Sequence, residues 1–292
     1  MNLSINRSKT TVFSLTLVCI FLQLAHYPPK FQRDNTVVSN NVSKFNSNAG
    51  DLGFAPGEEL TYKVYYNLNF VWIAAGEVTF KVDDAGDNFH FTATGRTYNS
   101  YEWFYKVRDS YSSYVDKKTM LPLVSQRTVS ENKYHLFDNV TFDQNSKSAQ
   151  FERGPAENNI DNRGAKKFDD AMHDILSVVY YSRTLDYQSA QIGQEFPIKV
   201  LLDEEVYPLK YKLENREQKN IRGIGNWEVL LFTPQLVDGR VFTKEAKMKI
   251  WASNDANRIP LMIESPVSVG SVKVVLKSWK NLKNDTKAKV KE

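Results

Sequence analysis

The stretch Gly57-Glu58-Glu59-Leu60-Thr61-Tyr62-Lys63-Val64 returns 136 residues later as Gly193-Gln194-Glu195-Phe196-Pro197-Ile198-Lys199-Val200. In both copies a glycine opens the segment, and apolar side chains then alternate with polar ones at the two-residue period of a half-buried strand. A second echo closes each copy. Asp116-Lys117-Lys118-Thr119-Met120-Leu121-Pro122-Leu123 is answered by Asp255-Ala256-Asn257-Arg258-Ile259-Pro260-Leu261, with the prolines 138 residues apart. Two short matches at nearly one offset imply two related β-rich halves, at about residues 54–150 and 190–280.

Working outward, the same alternation marks further strands. Val78, Phe80 and Val82 precede the turn residues Asp83 to Asn88, and Phe89, Phe91 and Ala93 follow them, which predicts a hairpin. In the second half Tyr207, Leu209, Tyr211 and Leu213 alternate, as do Trp227, Val229 and Leu231, then Val272, Val274 and Leu276. One apolar and one wet face per strand indicate antiparallel pairing. Between the halves, Asp169 or Asp170 can cap a helix whose stripe is Met172, Ile175, Leu176, Val179 and Tyr180, with Arg183 at its negative end; its expected span is about residues 169–184. Gly154 to Lys167 has the composition of a loop. The expected fold is mainly β: antiparallel curved sheets or an open β-barrel of two related halves, with one connecting α-helix.

The chain has 292 residues, 41% of them hydrophobic, enough for a packed core. Its net charge of +4 is unevenly placed: residues 1–50 and 277–292 carry +4 each, leaving −4 on the body between them. An acidic body does not suit a phosphate backbone, so nucleic acid is not an expected partner. Residues 281–292 form a basic tail, expected to be a soluble, frayed end, with anionic lipid or a partner protein as alternative contacts. Arg7 and Lys9 precede an apolar stretch, Val12 to Ala25, so residues 1–26 are expected to be a signal peptide or an N-terminal membrane anchor. Residues 27–50, rich in Asn and Ser, look like a disordered linker before a β-rich domain at 51–280. The one cysteine, Cys19, lies in the N-terminal segment, which excludes an intrachain disulfide and a cysteine-based metal or nucleophile site. The expected location is the periplasm or outer envelope of a Gram-negative bacterium, with an uncleaved inner-membrane anchor as alternative.

Several segments together resemble the bacterial domain-of-unknown-function family 3108, known mainly from Gram-negative envelope proteins. They are Phe54, Pro56, Gly57, Glu58, Leu60 and Tyr62; Ala75-Gly76; Asp174, Leu176-Ser177, Tyr180 and Arg183; and Trp251 to Asp255, Asn257, Arg258, Pro260 and Gly270. The resemblance implies an exported, β-rich protein of unassigned activity and brings no catalytic residues with it.

No Gly-x-Ser-x-Gly elbow, phosphate loop, His-Glu-x-x-His or dinucleotide fingerprint occurs, so no cofactor is expected and no catalytic residue is assigned. His90 and His135 on candidate strands can be imagined sharing a zinc ion with a carboxylate, but a lone strand histidine is more often structural, and no metal site is assigned. Glu58 is expected to cap a turn. The densest unusual stretch, Tyr98, Tyr101, Trp103, Phe104, Tyr105, Arg108, Asp109, Tyr111 and Tyr114, offers rings for sugar stacking or an apolar ligand and two charges to orient it, although a hairpin filling its own core explains it as well. Arg258, within Asp255-Ala256-Asn257-Arg258, can meet an anionic headgroup or simply belong to a turn. The leading expectation is a non-enzymatic envelope protein that binds or carries a lipid or glycan. A glycan-processing enzyme and an assembly scaffold with an envelope protein partner are the alternatives, and the N-terminal segment offers a route to the membrane.

Overall fold

The computed structural model describes residues 52–68, 71–103, 105–236, 248–266 and 270–291; the expected signal segment and linker, and Phe104, lie outside them. Among the described residues, fourteen strands form one antiparallel sheet. They are β1 (Glu59–Leu68), β2 (Val71–Ala85), β3 (Asn88–Thr97), β4 (Arg108–Asp116), β5 (Pro122–Glu131), β6 (Tyr134–Asp143), β7 (Ser148–Gly154) and β8 (Asn162–Lys167), then β9 (Glu195–Leu202), β10 (Glu205–Ile221), β11 (Gly225–Leu236), β12 (Lys249–Ser253), β13 (Pro260–Pro266) and β14 (Ser271–Lys280). Laterally the order runs from β8 down to β1, then from β14 down to β9. Two meanders are therefore joined by their first and last strands, with Val64 opposite Val274 and Tyr62 opposite Leu276.

The repeat is visible in backbone geometry. Gly57 and Gly193 both adopt positive φ, 91° and 90°, which a glycine reaches without steric cost. The Gly57 amide donates to the Val82 carbonyl at 2.7 Å and the Val82 amide to that of Glu58 at 3.0 Å; Gly193, Leu213 and Gln194 repeat the pattern at 2.7 and 3.0 Å. The closing turns match as well. The Asp116 carboxylate accepts from the Lys118 and Thr119 amides, as that of Asp255 does from Asn257 and Arg258, and Met120 and Arg258 share a left-handed conformation.

The sheet curls until the β9–β10 hairpin meets β7 and β8. Asp203, in the hairpin turn, accepts from Arg127 and Arg153, Glu204 from Asn162, and Glu205 from Lys166. Side chains thus draw together two edges that share no backbone ladder. Residues 168–173 run along the gap, where the His173 amide donates to the Lys199 carbonyl at 2.9 Å and the Leu201 amide to that of His173 at 2.8 Å.

That extended crossing corrects the expected helix. Helix α1 spans Ser177–Ser182, not residues 169–184. The carboxylate that starts its first turn belongs to Asp174, accepting from the Leu176 and Ser177 amides at 2.7 and 3.0 Å, while backbone pairing with β9 holds the residues before it straight. Two more expectations are overturned. Part of the presumed loop at 154–167 is β8, whose residues are largely exposed and so show no alternation. The basic tail is docked over residues 281–291: Ala288 is buried, its amide donates to Asp255 and its carbonyl accepts from the Glu228 amide, and Lys289 lies over the Trp227 and Trp279 rings.

Arg183 connects these parts. Almost wholly buried, its guanidinium donates from Nη1 and Nη2 to the two Glu58 carboxylate oxygens at 2.6 and 2.8 Å. Nη2 also reaches the Gly53 carbonyl at 2.5 Å, and Nε that of Asn257 at 3.0 Å. Position 53 has room only for glycine, since a Cβ there would lie 2.7 Å from the Asn257 carbonyl oxygen and 2.9 Å from that of Arg183. Glu58 is therefore an ion-pair partner, whereas its counterpart Gln194 does cap a turn, accepting from the Gln191 amide.

Two outcomes are expected. Arg183→Met leaves a buried carboxylate and two carbonyls unserved and costs about 3–5 kcal/mol of stability, measured by urea unfolding. Burial pushes His173 from 6.5 down to about 3. The unfolded chain then binds the extra proton, so stability present above pH 6.5 is lost as pH falls toward 3, by up to about 1.4 kcal/mol per unit. Burial raises the neighbouring Asp174 carboxyl, and that contribution has the opposite sign, present at low pH and lost as pH rises through its folded value. His173→Gln should remove the first slope and keep the second, as read from unfolding midpoints between pH 7 and 4.

Candidate functional site

Phe54, Phe89, Phe91 and Tyr180 fill the interior beside β1–β3. Tyr180 stacks on Phe91 at 3.8 Å, and Phe54 meets the other three rings edge-on at 5.1–5.5 Å. Having packed its tip against this half, the six-residue α1 does not fill the concave face of β9–β13. A cavity of about 150 Å³ remains between them. Leu60, Tyr62 and Phe80 form one wall, Val178 and Val179 the roof, and Ile198, Leu209, Phe232 and Ile250 the far wall. Pro234, Ile250, Lys210 and Tyr211 are only half-buried, which marks the more open side.

Few polar groups face this space. The Tyr187 hydroxyl donates to the Ser182 carbonyl at 2.6 Å and lies 2.8 Å from the Tyr211 hydroxyl, and burial raises the pKa of both phenols, keeping them neutral. Arg258 also lines the cavity; Nη1 donates to the Arg183 carbonyl at 2.9 Å. No carboxylate and no histidine lines it. Such a wall can enclose an apolar body and meet a small polar or anionic end, its titratable groups being the two neutral phenols and basic side chains.

Of the described residues proposed from sequence as ligand-binding candidates, only Arg258 borders the cavity. Tyr98 and Tyr101 are half-buried in the β3–β4 connection, and Trp103 projects into solvent. Arg108 and Asp109, being neighbours on a strand, face opposite ways. Arg108 points out, paired with Glu102 and donating to the Val107 carbonyl at 2.7 Å; Asp109 points in and accepts from the Ser130 amide at 3.0 Å. A broader concavity of about 520 Å³ borders Arg108 on the outer face, but it is lined by charges such as Glu59, Glu77, Lys81 and Arg96, which pair with one another, and by no aromatic ring on which a sugar can stack.

The histidines do not converge. His90 bonds to Ser112 at 2.8 Å and stacks on Tyr114, while His135 lies exposed on β6. Ser177 Oγ lies 3.4 Å from His173 Nδ1 beside Asp174, yet all three are buried, and that hydroxyl already accepts from the Asp174 amide and donates to its carbonyl. Its bonds tie the first turn of the helix to the Asp174 backbone. Among the described residues no three His, Cys, Asp or Glu side chains are grouped to hold a metal ion. The cavity residues that sequence reasoning missed, Tyr187 and Phe232 above all, carry no local signal beyond apolar alternation.

No protein of curated function matches this sequence. The crystal structure of a beta-barrel-like protein of domain of unknown function DUF1849 from Brucella abortus is similar in fold, with a TM-score of 0.53 and 8% identity over 78% of this chain and 98% of that one. The family model described as "Protein of unknown function (DUF3108)" matches residues 61–277, and its span takes in most of β1, α1, the Asp255 turn and most of β14. The chain belongs to the DUF3108 family.

Proposed function

We propose that this protein binds an apolar or amphiphilic ligand without transforming it, and that it does so in the cell envelope. The observation that carries the reading is the apolar cavity between α1 and β9–β13. At about 150 Å³ it is smaller than the pockets of roughly 300–1,000 Å³ that enclose drug-sized ligands, and close to the size at which an apolar protein cavity stays dry and takes a benzene-sized guest. The occupant is therefore one ring or a short acyl segment, with the rest of the ligand leaving past Tyr211 and Pro234. The Tyr187 and Tyr211 hydroxyls and Arg258 favour a polar or anionic group on that guest over a plain hydrocarbon. The envelope location rests on the apolar stretch Val12 to Ala25 behind Arg7 and Lys9.

The enzyme alternative has less support, because the titratable pair that meets at the cavity is two neutral phenols, with no carboxylate or histidine lining the space beside them. In a binding titration with the apolar fluorophore N-phenyl-1-naphthylamine, the wild-type protein should enhance emission, and Ile250→Trp, which fills the cavity, should weaken binding at least roughly tenfold while leaving the unfolding midpoint within a few degrees. Native mass spectrometry of protein taken from its own envelope should show a small apolar adduct. Equal dye affinity in the filled variant, together with adduct-free spectra, would sink the reading.

A further inference from the structure

Strand alternation places the β1–β2, β3–β4 and β5–β6 connections at one end of the barrel. Four of the most exposed large apolar or aromatic side chains among the described residues lie there: Val71 (59%), Trp72 (40%), Trp103 (83%) and Tyr134 (43%). The described residues at this end are tied into one ledge. The Tyr98 amide donates to the Ala75 carbonyl at 3.0 Å, the Asn132 amide to that of Lys106 at 2.9 Å, and the Tyr105 hydroxyl to Glu131 at 3.0 Å. Two exposed tryptophans thus occur on one ledge.

The exposed charge on the ledge is in positive excess. Lys106 and Lys133 are exposed and make no ion pair among the described residues. The Lys273 ammonium, paired with Glu264 at 2.8 Å, sits 4.5 Å from the Trp72 ring centroid. Of the nearby acids, Glu102 is paired with Arg108, and Glu131 is buried and accepts from the Tyr105 hydroxyl. Beyond the ledge the outer faces of β1–β3 turn to the paired charges Glu59, Glu77, Lys81 and Arg96, so this apolar surface stops at the rim. Trp and Tyr flanked by lysine form the composition that settles at the headgroup level of a bilayer, where the ring is half wet and the ammonium meets phosphate.

We infer that this end of the barrel docks on the surface of an anionic lipid bilayer. The contact is independent of the N-terminal apolar segment and of what the cavity holds. The cavity nonetheless reaches toward the same end, through Pro234 near the close of β11 and Met248 just before β12, so docking presents its walls to the lipid side.

The test uses the full chain with Cys19→Ser and a single labelling site, Ser100→Cys on the ledge or Leu123→Cys at the opposite end, each carrying an environment-sensitive dye. On vesicles of equal phosphatidylglycerol and phosphatidylcholine the label at position 100 should shift to the blue and that at 123 should not. Lys106→Gln with Lys133→Gln should weaken the response at position 100 by about 25-fold, at about fivefold per lysine. A silent label at 100 on vesicles that still sediment the protein would show attachment through the N-terminal segment alone and overturn the inference. An equal response at 123, or one indifferent to the two lysines, would overturn it too.

Discussion

Buried almost completely, the Arg183 guanidinium must find its hydrogen-bond acceptors within the protein, and it finds them in two distant parts of the chain. Gly53 and Glu58 lie just before β1, and Asn257 belongs to the turn between β12 and β13. Desolvating such a pair is costly, and the attraction repays that cost only when the geometry is bidentate and the remaining donors are used, as they are here. The consequence is positional. With its C-terminal residue fixed by Glu58, α1 is held against Phe54 and Phe91, and the opposite side of the interior is left unfilled.

The two halves share a framework and differ in what occupies it. Gly57 and Gly193 make the same turn, but the residue that follows is Glu in one and Gln in the other, and only the charged one recruits a buried arginine. Similarly Met120 and Arg258 hold equivalent left-handed positions, one wholly buried in the core and the other facing the cavity. A duplicated scaffold with unequal filling explains why the candidate site lies to one side of α1.

The strands were legible because a two-residue period survives in any half-buried sheet, and Tyr62, Phe91 or Leu213 mark the inner face without reference to a partner. The helix boundary was not, since Asp169, Asp170 and Asp174 are equal as caps until β9 pairs with the backbone around His173. The tail misled for a different reason: its lysines are exposed, and what anchors it is backbone pairing with Asn226 and Glu228, hydrogen bonds to Asn257 and a single buried alanine, none of which shows in local composition. The partner of Glu58 lies 125 residues away, and local pattern carries no information about that meeting. The aromatic stretch after Tyr98 was conspicuous, but alternation sends Arg108 and Asp109 to opposite faces, so composition alone could not assemble a site there.

The pairing of β1 with β14 has a consequence for how the molecule is made. Glu59 and Lys280 lie 221 residues apart yet face each other at the middle of the sheet. During synthesis the first meander can form against its own neighbours, but one side of β1 keeps an unsatisfied row of amides and carbonyls until the last strand emerges. The centre of the finished sheet is thus its final seam. A chain built this way completes its sheet only when the last strand has been made.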